Sequence, residues 1–193
     1  MSLVSPYFDT YQYTKIKVEP HYFNSDIESN MLHILRQKES KKCNKNGYIE
    51  EIYQISSFND GMIEAENLSG GAIFDVKYNC RICEPVINST IVCQVKTLNS
   101  ELVICSNGPI IVFAPKERLD KTFWDFNESF KNRKTGKELK ENDFVKVEIL
   151  DRRINQGDYH INTIGRLMDH ATKDEIGKYF GSSEDVEDDE NFI

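Results

Sequence analysis

The stretch Gly70-Gly71-Ala72-Ile73-Phe74-Asp75-Val76-Lys77-Tyr78-Asn79-Cys80-Arg81-Ile82-Cys83-Glu84-Pro85 decides how the chain is read. Taken with a period of two, Ala72, Phe74, Val76, Tyr78, Cys80 and Ile82 share one face, and Asp75, Lys77, Asn79 and Arg81 share the other. That is a strand with one buried face. At about 3.3 Å per residue the run from Ala72 to Cys83 spans roughly 40 Å, about twice an ordinary strand and long enough to leave one domain and enter a second. Pro85 has no amide hydrogen to donate and ends the ladder.

Working back from it, Leu68-Ser69-Gly70-Gly71 reads as a turn into this strand, and Asn59-Asp60-Gly61 as a hairpin turn between strands Tyr48 to Ile55 and Met62 to Glu66. Lys15 to Val18 alternates into a first strand that Pro20 ends. Ser25 followed by Glu28 predicts a capping box, and Ile27, Met31, Ile34 and Leu35 form the single apolar stripe of a helix lying on a sheet. Tyr7, Phe8, Tyr11 and Tyr13 have no clear period, so residues 1–14 read as an extended arm. The expectation is an α+β domain over residues 1–84, a sheet with one packed helix.

Beyond Pro85 the pattern turns all-β. Thr90 to Thr97, Glu101 to Cys105, Ile110 to Ala114, Phe144 to Leu150 and Tyr159 to Ile164 read as five short strands, and Gly165-Arg166-Leu167-Met168-Asp169 closes the set. Strands of that length and spacing suit a five-stranded OB-type barrel over residues 85–180. It carries a charged insert at 116–142, whose Phe123, Trp124, Phe126 and Phe130 are expected to cap the barrel's open end or dock on a partner. Residues 181–193 are expected to be a disordered acidic tail.

The chain has 193 residues and a formal net charge of −8. Residues 1–84 carry 9 basic against 12 acidic side chains, residues 85–180 carry 15 against 14, and residues 181–193 carry 0 against 6. The acidity is concentrated in the tail and the body is nearly neutral, which excludes the strongly basic footprint of a tight nucleic-acid binder. No apolar run approaches the roughly eighteen residues of a membrane helix, and no basic-then-apolar leader is present, so an intracellular protein without a membrane partner is expected. Five cysteines at scattered spacings fit a reducing compartment.

Catalytic chemistry has no foothold in the sequence. Cys80 and Cys83 have a metal-like spacing, but residues three apart on a strand point to opposite faces and no second pair lies at finger spacing. His21, His33, His160 and His170 are dispersed, and no phosphate-binding glycine loop or nucleophile elbow is present. No catalytic residue, metal or cofactor is expected.

Gly47-Tyr48-Ile49, Asn59-Asp60-Gly61, the run Ala72 to Tyr78 with Glu84-Pro85, Gly108-Pro109 and Ile164 to Asp169 together resemble the seventh subunit of eukaryotic RNA polymerase II and its archaeal counterpart. The resemblance covers residues 15–180. Val18-Glu19-Pro20-His21 is also similar to the corresponding small subunit of poxviruses, which suggests a large DNA virus as the source. The resemblance implies a non-catalytic stalk subunit. Its N-terminal tip domain would wedge against the large polymerase subunits near the clamp, and an S1-type barrel would stand near the exiting transcript. A second small stalk subunit is a further implied partner. The implied location is the nucleus or, for a virus, the virion and host cytoplasm.

On that reading the core contact falls on Asn59, Asp60, Gly61, Leu68, Ser69, Gly70 and Gly71, where glycines permit close backbone approach. Plain hairpin turns would look the same. Gly61→Val is expected to break core association with the isolated fold retained. Weak RNA contact is assigned to Lys96, Phe113, Lys116, Arg118, Lys146, Arg152, Arg153, Tyr159 and His160, a basic track with few stacking rings. Lysines scattered over a solvated barrel give the same pattern. A free-standing S1/OB RNA-binding module in RNA processing or translation is the alternative function. A metal-dependent nuclease would need clustered acids, whereas Asp151, Asp158 and Asp169 sit at strand ends and turns.

Overall fold

The computed structural model describes residues 3–63, 69–119, 121–125 and 130–180. The described residues are mostly β, with two α-helices and one closed barrel. Tyr7–Glu84 together with Ile154–Ile161 form one compact unit, and the described residues of Pro85–Arg153, those from Asn162 onward and those before Tyr7 form the other.

In the first unit β5 (Ala72–Cys83) lies inside the sheet with a strand on either side, and its alternation buries one face. Its first neighbour, β1 (Tyr7–Val18), pairs with it antiparallel over its entire length, from Tyr7 opposite Cys83 to Val18 opposite Ala72. Residues 7–14 of the expected arm are therefore eight of the twelve residues of an edge strand. Its tyrosines obey a period of two after all, but on the outward face, where no core demands that every second residue be apolar. On β5's other side β3 (Gly47–Phe58) and the short β4 (Met62–Ile63) run in the same direction, facing Cys83 to Val76 and then Ile73 to Ala72. Asn59-Asp60-Gly61 thus interrupts one continuing strand and does not reverse the chain, contrary to the hairpin expected. The Asn59 amide donates to the Asp75 carbonyl at 3.2 Å, and its side-chain oxygen accepts the Asp75 amide at 2.9 Å, so pairing continues across the gap. The two-residue β2 (Cys43–Asn44) forms the far edge.

Helix α1 (Ile27–Glu39) covers one face of this sheet. Its Met31 and Leu35 are fully buried among Ile16, Val18, Ile49, Ile52, Val76 and Tyr78, with Ile27 and Ile34 packed alongside. Burying each such side chain contributes about 1.5–3 kcal/mol. The helix begins one residue later than a Ser25 cap would set it, and no side-chain cap bond forms at Asp26. The Asn24 carboxamide takes that role in the entering loop, accepting the Asp26 amide at 2.9 Å and the Asn30 side-chain amide at 3.0 Å. Arg36 donates from Nε and Nη2 to the Ile52 carbonyl at 3.1 and 2.9 Å, satisfying an acceptor beside an irregularity in β3.

In the second unit β6 (Thr90–Leu98), β7 (Leu102–Asn107), β8 (Ile110–Pro115), β11 (Phe144–Arg153) and β12 (Ile161–His170) close into a barrel in the order β11-β12-β8-β7-β6. The five-stranded barrel expected from strand spacing is present. Ile91, Cys93, Val95, Val103, Cys105, Val112, Val145, Val147, Ile149 and Leu167 are fully buried. The last strand runs later than expected, so that Gly165 to Asp169 lie inside it and Tyr159 and His160 precede it.

The insert carries the two-residue strands β9 (Trp124–Asp125) and β10 (Lys131–Asn132), and it is packed, not loose. Leu119, Trp124, Phe130 and Leu139 are buried, the Trp124 indole nitrogen donates to the Met168 carbonyl, and the ring lies 5.1 Å from that of His170. Phe123 is half-buried under the Lys134 ammonium, and Phe126 lies outside the described residues. Helix α2 (Lys173–Phe180) opens on a reciprocal cap: the Thr172 hydroxyl accepts the Glu175 amide at 3.3 Å and the Glu175 carboxylate accepts the Thr172 amide at 2.8 Å. No described helix is long and apolar enough to cross a membrane.

Candidate functional site

The residues expected to contact a polymerase core gather at one end of the sheet unit. Asn59, Asp60 and Ser69 are exposed there, and Leu68 lies outside the described residues. The three glycines have structural work. Gly61 and Gly70 take positive φ of 70° and 69°, the left-handed region glycine enters without strain. Gly71 is buried, and a Cβ on it would meet the Val18 carbonyl oxygen at 3.1 Å.

What these loops frame is apolar. Met62 is 69% exposed, Ile63 62%, Phe58 41% and Phe23 40%. Phe23 and Phe58 approach the buried ring of Phe74 edge-on from 6.4 and 6.2 Å, so the patch is anchored on the core. Water-exposed apolar groups gathered in this way have the character of a contact surface. None of the four was picked out from sequence. The available signal was Met62-Ile63, adjacent apolar residues where an alternating strand has room for one.

The residues assigned to RNA are only partly brought together. Phe113, Arg152 and Arg153 surround a pocket of about 230 Å³ on the barrel unit, with Asp151 and Asn162 also at its wall. Arg152 is tied into the structure, donating from Nη1 to the Pro85 carbonyl. Lys146 pairs with Glu175 at 3.1 Å, both half-buried, and is therefore engaged in holding α2. Lys96 and Lys116 are exposed, and Arg118 lines a separate depression of about 380 Å³ with Lys121 and Arg166. Tyr159 and His160, exposed on the 154–161 segment, belong to the sheet unit and not to the last barrel strand. That segment is held by Cys43, whose amide donates to the Asp158 carbonyl at 2.7 Å and whose carbonyl accepts the Gly157 amide at 2.8 Å.

Among the described residues no cluster of three or more His, Cys, Asp or Glu side chains could hold a metal ion. Cys80 faces the helix-covered core, whereas Cys83 meets the Tyr7 hydroxyl on the opposite face. All five thiols are free and buried. Burial pushes Cys43 and Cys80 up to about 11 and Cys83 and Cys105 up to about 12, so they stay protonated at neutral pH and are poor nucleophiles or ligands.

No protein-family model matches the chain. Over 199 aligned positions, covering all of both sequences, it is 32% identical to a protein of Acanthamoeba polyphaga mimivirus assigned as a DNA-directed RNA polymerase subunit. The chain belongs to this family of viral RNA polymerase subunits. Full coverage means that both units, the sheet with its apolar end and the barrel with its arginine-lined pocket, lie within the shared sequence.

Proposed function

We propose that the protein is a non-catalytic stalk subunit of a multisubunit DNA-directed RNA polymerase. The sheet unit, acting as the tip domain over residues 1–84, docks on the large subunits near the clamp, and the barrel over residues 85–180 stands near the emerging transcript. The observation that carries this reading is the exposed cluster Phe23, Phe58, Met62 and Ile63, at the end of the sheet whose glycine turns the resemblance made the expected docking point. The family membership supports it, because a polymerase subunit has other subunits to meet. Catalysis belongs to those large subunits. RNA contact by the barrel is weak and centres on Phe113 and Arg153. A second small stalk subunit would complete the assembly, which works in the nucleus or in the virion and host cytoplasm.

The test is affinity purification of the tagged full-length protein from infected cells, wild type beside Met62→Asp with Ile63→Asp. Both side chains are already exposed, so the fold is expected to persist by circular dichroism while recovery of the large polymerase subunits drops at least tenfold. Recovery unchanged in the double variant sinks the docking assignment. Capture of RNA-processing or ribosomal factors in place of polymerase establishes a free-standing RNA-binding module.

A further inference from the structure

We propose that the outer face of the sheet unit, the one turned away from α1, binds single-stranded RNA by stacking bases on tyrosine. The register of β1 and β5 puts Tyr7, Tyr11 and Tyr13 on this face together with Lys77 and Arg81. Tyr53 of β3 joins them, its hydroxyl 3.1 Å from the Asp9 carboxylate. Tyr11 is 54% exposed and Tyr13 73%, far more than rings in a fold's interior. The Lys77 ammonium lies 4.8 Å from the Tyr11 ring centre and 5.6 Å from that of Tyr13, and the Arg81 guanidinium lies 5.5 Å from Tyr7.

Three features select the ligand. Tyr11 and Tyr13, two residues apart on one strand, are separated by about 6.6 Å along it, room for one base on each ring. Lys77 stands opposite Tyr13 and Ser57 and has no carboxylate within ion-pair distance among the described residues, whereas Arg81 faces Asp9 on β1 and Glu51 on β3, so the charge open to phosphate is that of Lys77. A depression of about 660 Å³, walled in part by Tyr13, Lys15, Asp75 and Lys77, opens beside the rings and is large enough for an unstacked base. Exposed flat rings two residues apart, with the Lys77 ammonium beside both, suit a chain of flat bases joined by phosphates. The surface lies in the sheet unit, whereas the Phe113–Arg153 pocket belongs to the barrel unit, and the inference does not depend on the stalk reading.

The test uses the full-length protein and a fluorescein-labelled oligouridylate of about twelve nucleotides, followed by anisotropy between about 50 and 200 mM salt. Tyr11→Ala with Tyr13→Ala is expected to weaken binding about tenfold or more, with Tyr→Phe at both sites retaining it. Lys77→Gln is expected to reduce the salt slope by about one phosphate contact. Ultraviolet cross-linking of the wild-type protein, which needs no variant to fold, is expected to mark the peptide containing Tyr11 and Tyr13. The proposal is overturned by wild-type protein that does not bind, by alanine variants of unchanged affinity, or by cross-links confined to the barrel around Phe113. It is equally overturned if the tyrosine variants keep RNA affinity and lose polymerase subunits, which makes the face a protein interface.

Discussion

Gly61 lies against the ring of Phe74 so closely that a Cβ added to it would sit 2.6 Å from both Cε1 and Cζ. Phe74 is part of the core that α1 covers, and Gly61 holds φ at 70°, a region a β-branched residue avoids. Gly61→Val should therefore lower the stability of the sheet unit by about 2–4 kcal/mol, through overpacking and backbone strain together. A chemical denaturation midpoint matching wild type would refute this. The expectation that this substitution would spare the isolated fold does not survive the contact with Phe74, so polymerase docking has to be probed at Met62 and Ile63.

Gly165 plays the corresponding part inside the barrel. A Cβ there would meet Val147 Cγ1 at 2.5 Å and Val112 Cγ1 at 2.6 Å, side chains from the two strands flanking β12. Gly165→Ala should cost about 1–3 kcal/mol, since close-packed interiors absorb an extra methyl only by strain. Thermal unfolding followed by circular dichroism measures it, and Val112→Ala in the same chain should recover part of the loss by making room.

His170 makes the barrel unit sensitive to acid. Burial, and after it the charge of Lys137, holds its imidazole below the ordinary value of 6.5, and its buried Nε2 has no hydrogen-bond partner among the described residues. The folded state thus favours the neutral ring, and the unfolded chain takes up a proton first as pH falls. This contribution to stability is complete above pH 6.5 and declines below it until the folded ring is itself protonated. Trp124, the chain's single tryptophan and in contact with His170, should report the change by fluorescence. An unfolding midpoint equally flat between about pH 7.5 and 5 in wild type and His170→Gln would count against it.

The five cysteines should be silent in the native protein. Each is buried, and burial raises the thiols well above neutral pH. A thiol-reactive chromophore at about pH 8 should label none on the time scale of minutes and all five once denaturant unfolds the chain. Fast native labelling of Cys80 or Cys83 would mean that β5 opens readily.

Periodicity alone determined β5, the apolar stripe of α1 and the five-stranded barrel, because in each the residues facing a core must repeat every two or every three to four positions whatever surrounds them. The contents of the candidate site were less legible. Asn59-Asp60-Gly61 has the composition of a hairpin turn, and only the ladder shows the chain continuing along β5, with the Asn59 side chain standing in for backbone pairing. Ser25 and Glu28 have the spacing of a capping box that Asn24 displaces, whereas Thr172 and Glu175 form one. Local patterns of this kind state what a segment can do, and competing partners elsewhere decide whether it does. The tyrosines of residues 7–13 had no visible order until β5 supplied the strand they pair with. Tertiary pairing also brought Lys77 and Arg81 beside them, about seventy residues away in sequence, a placement that no local period encodes.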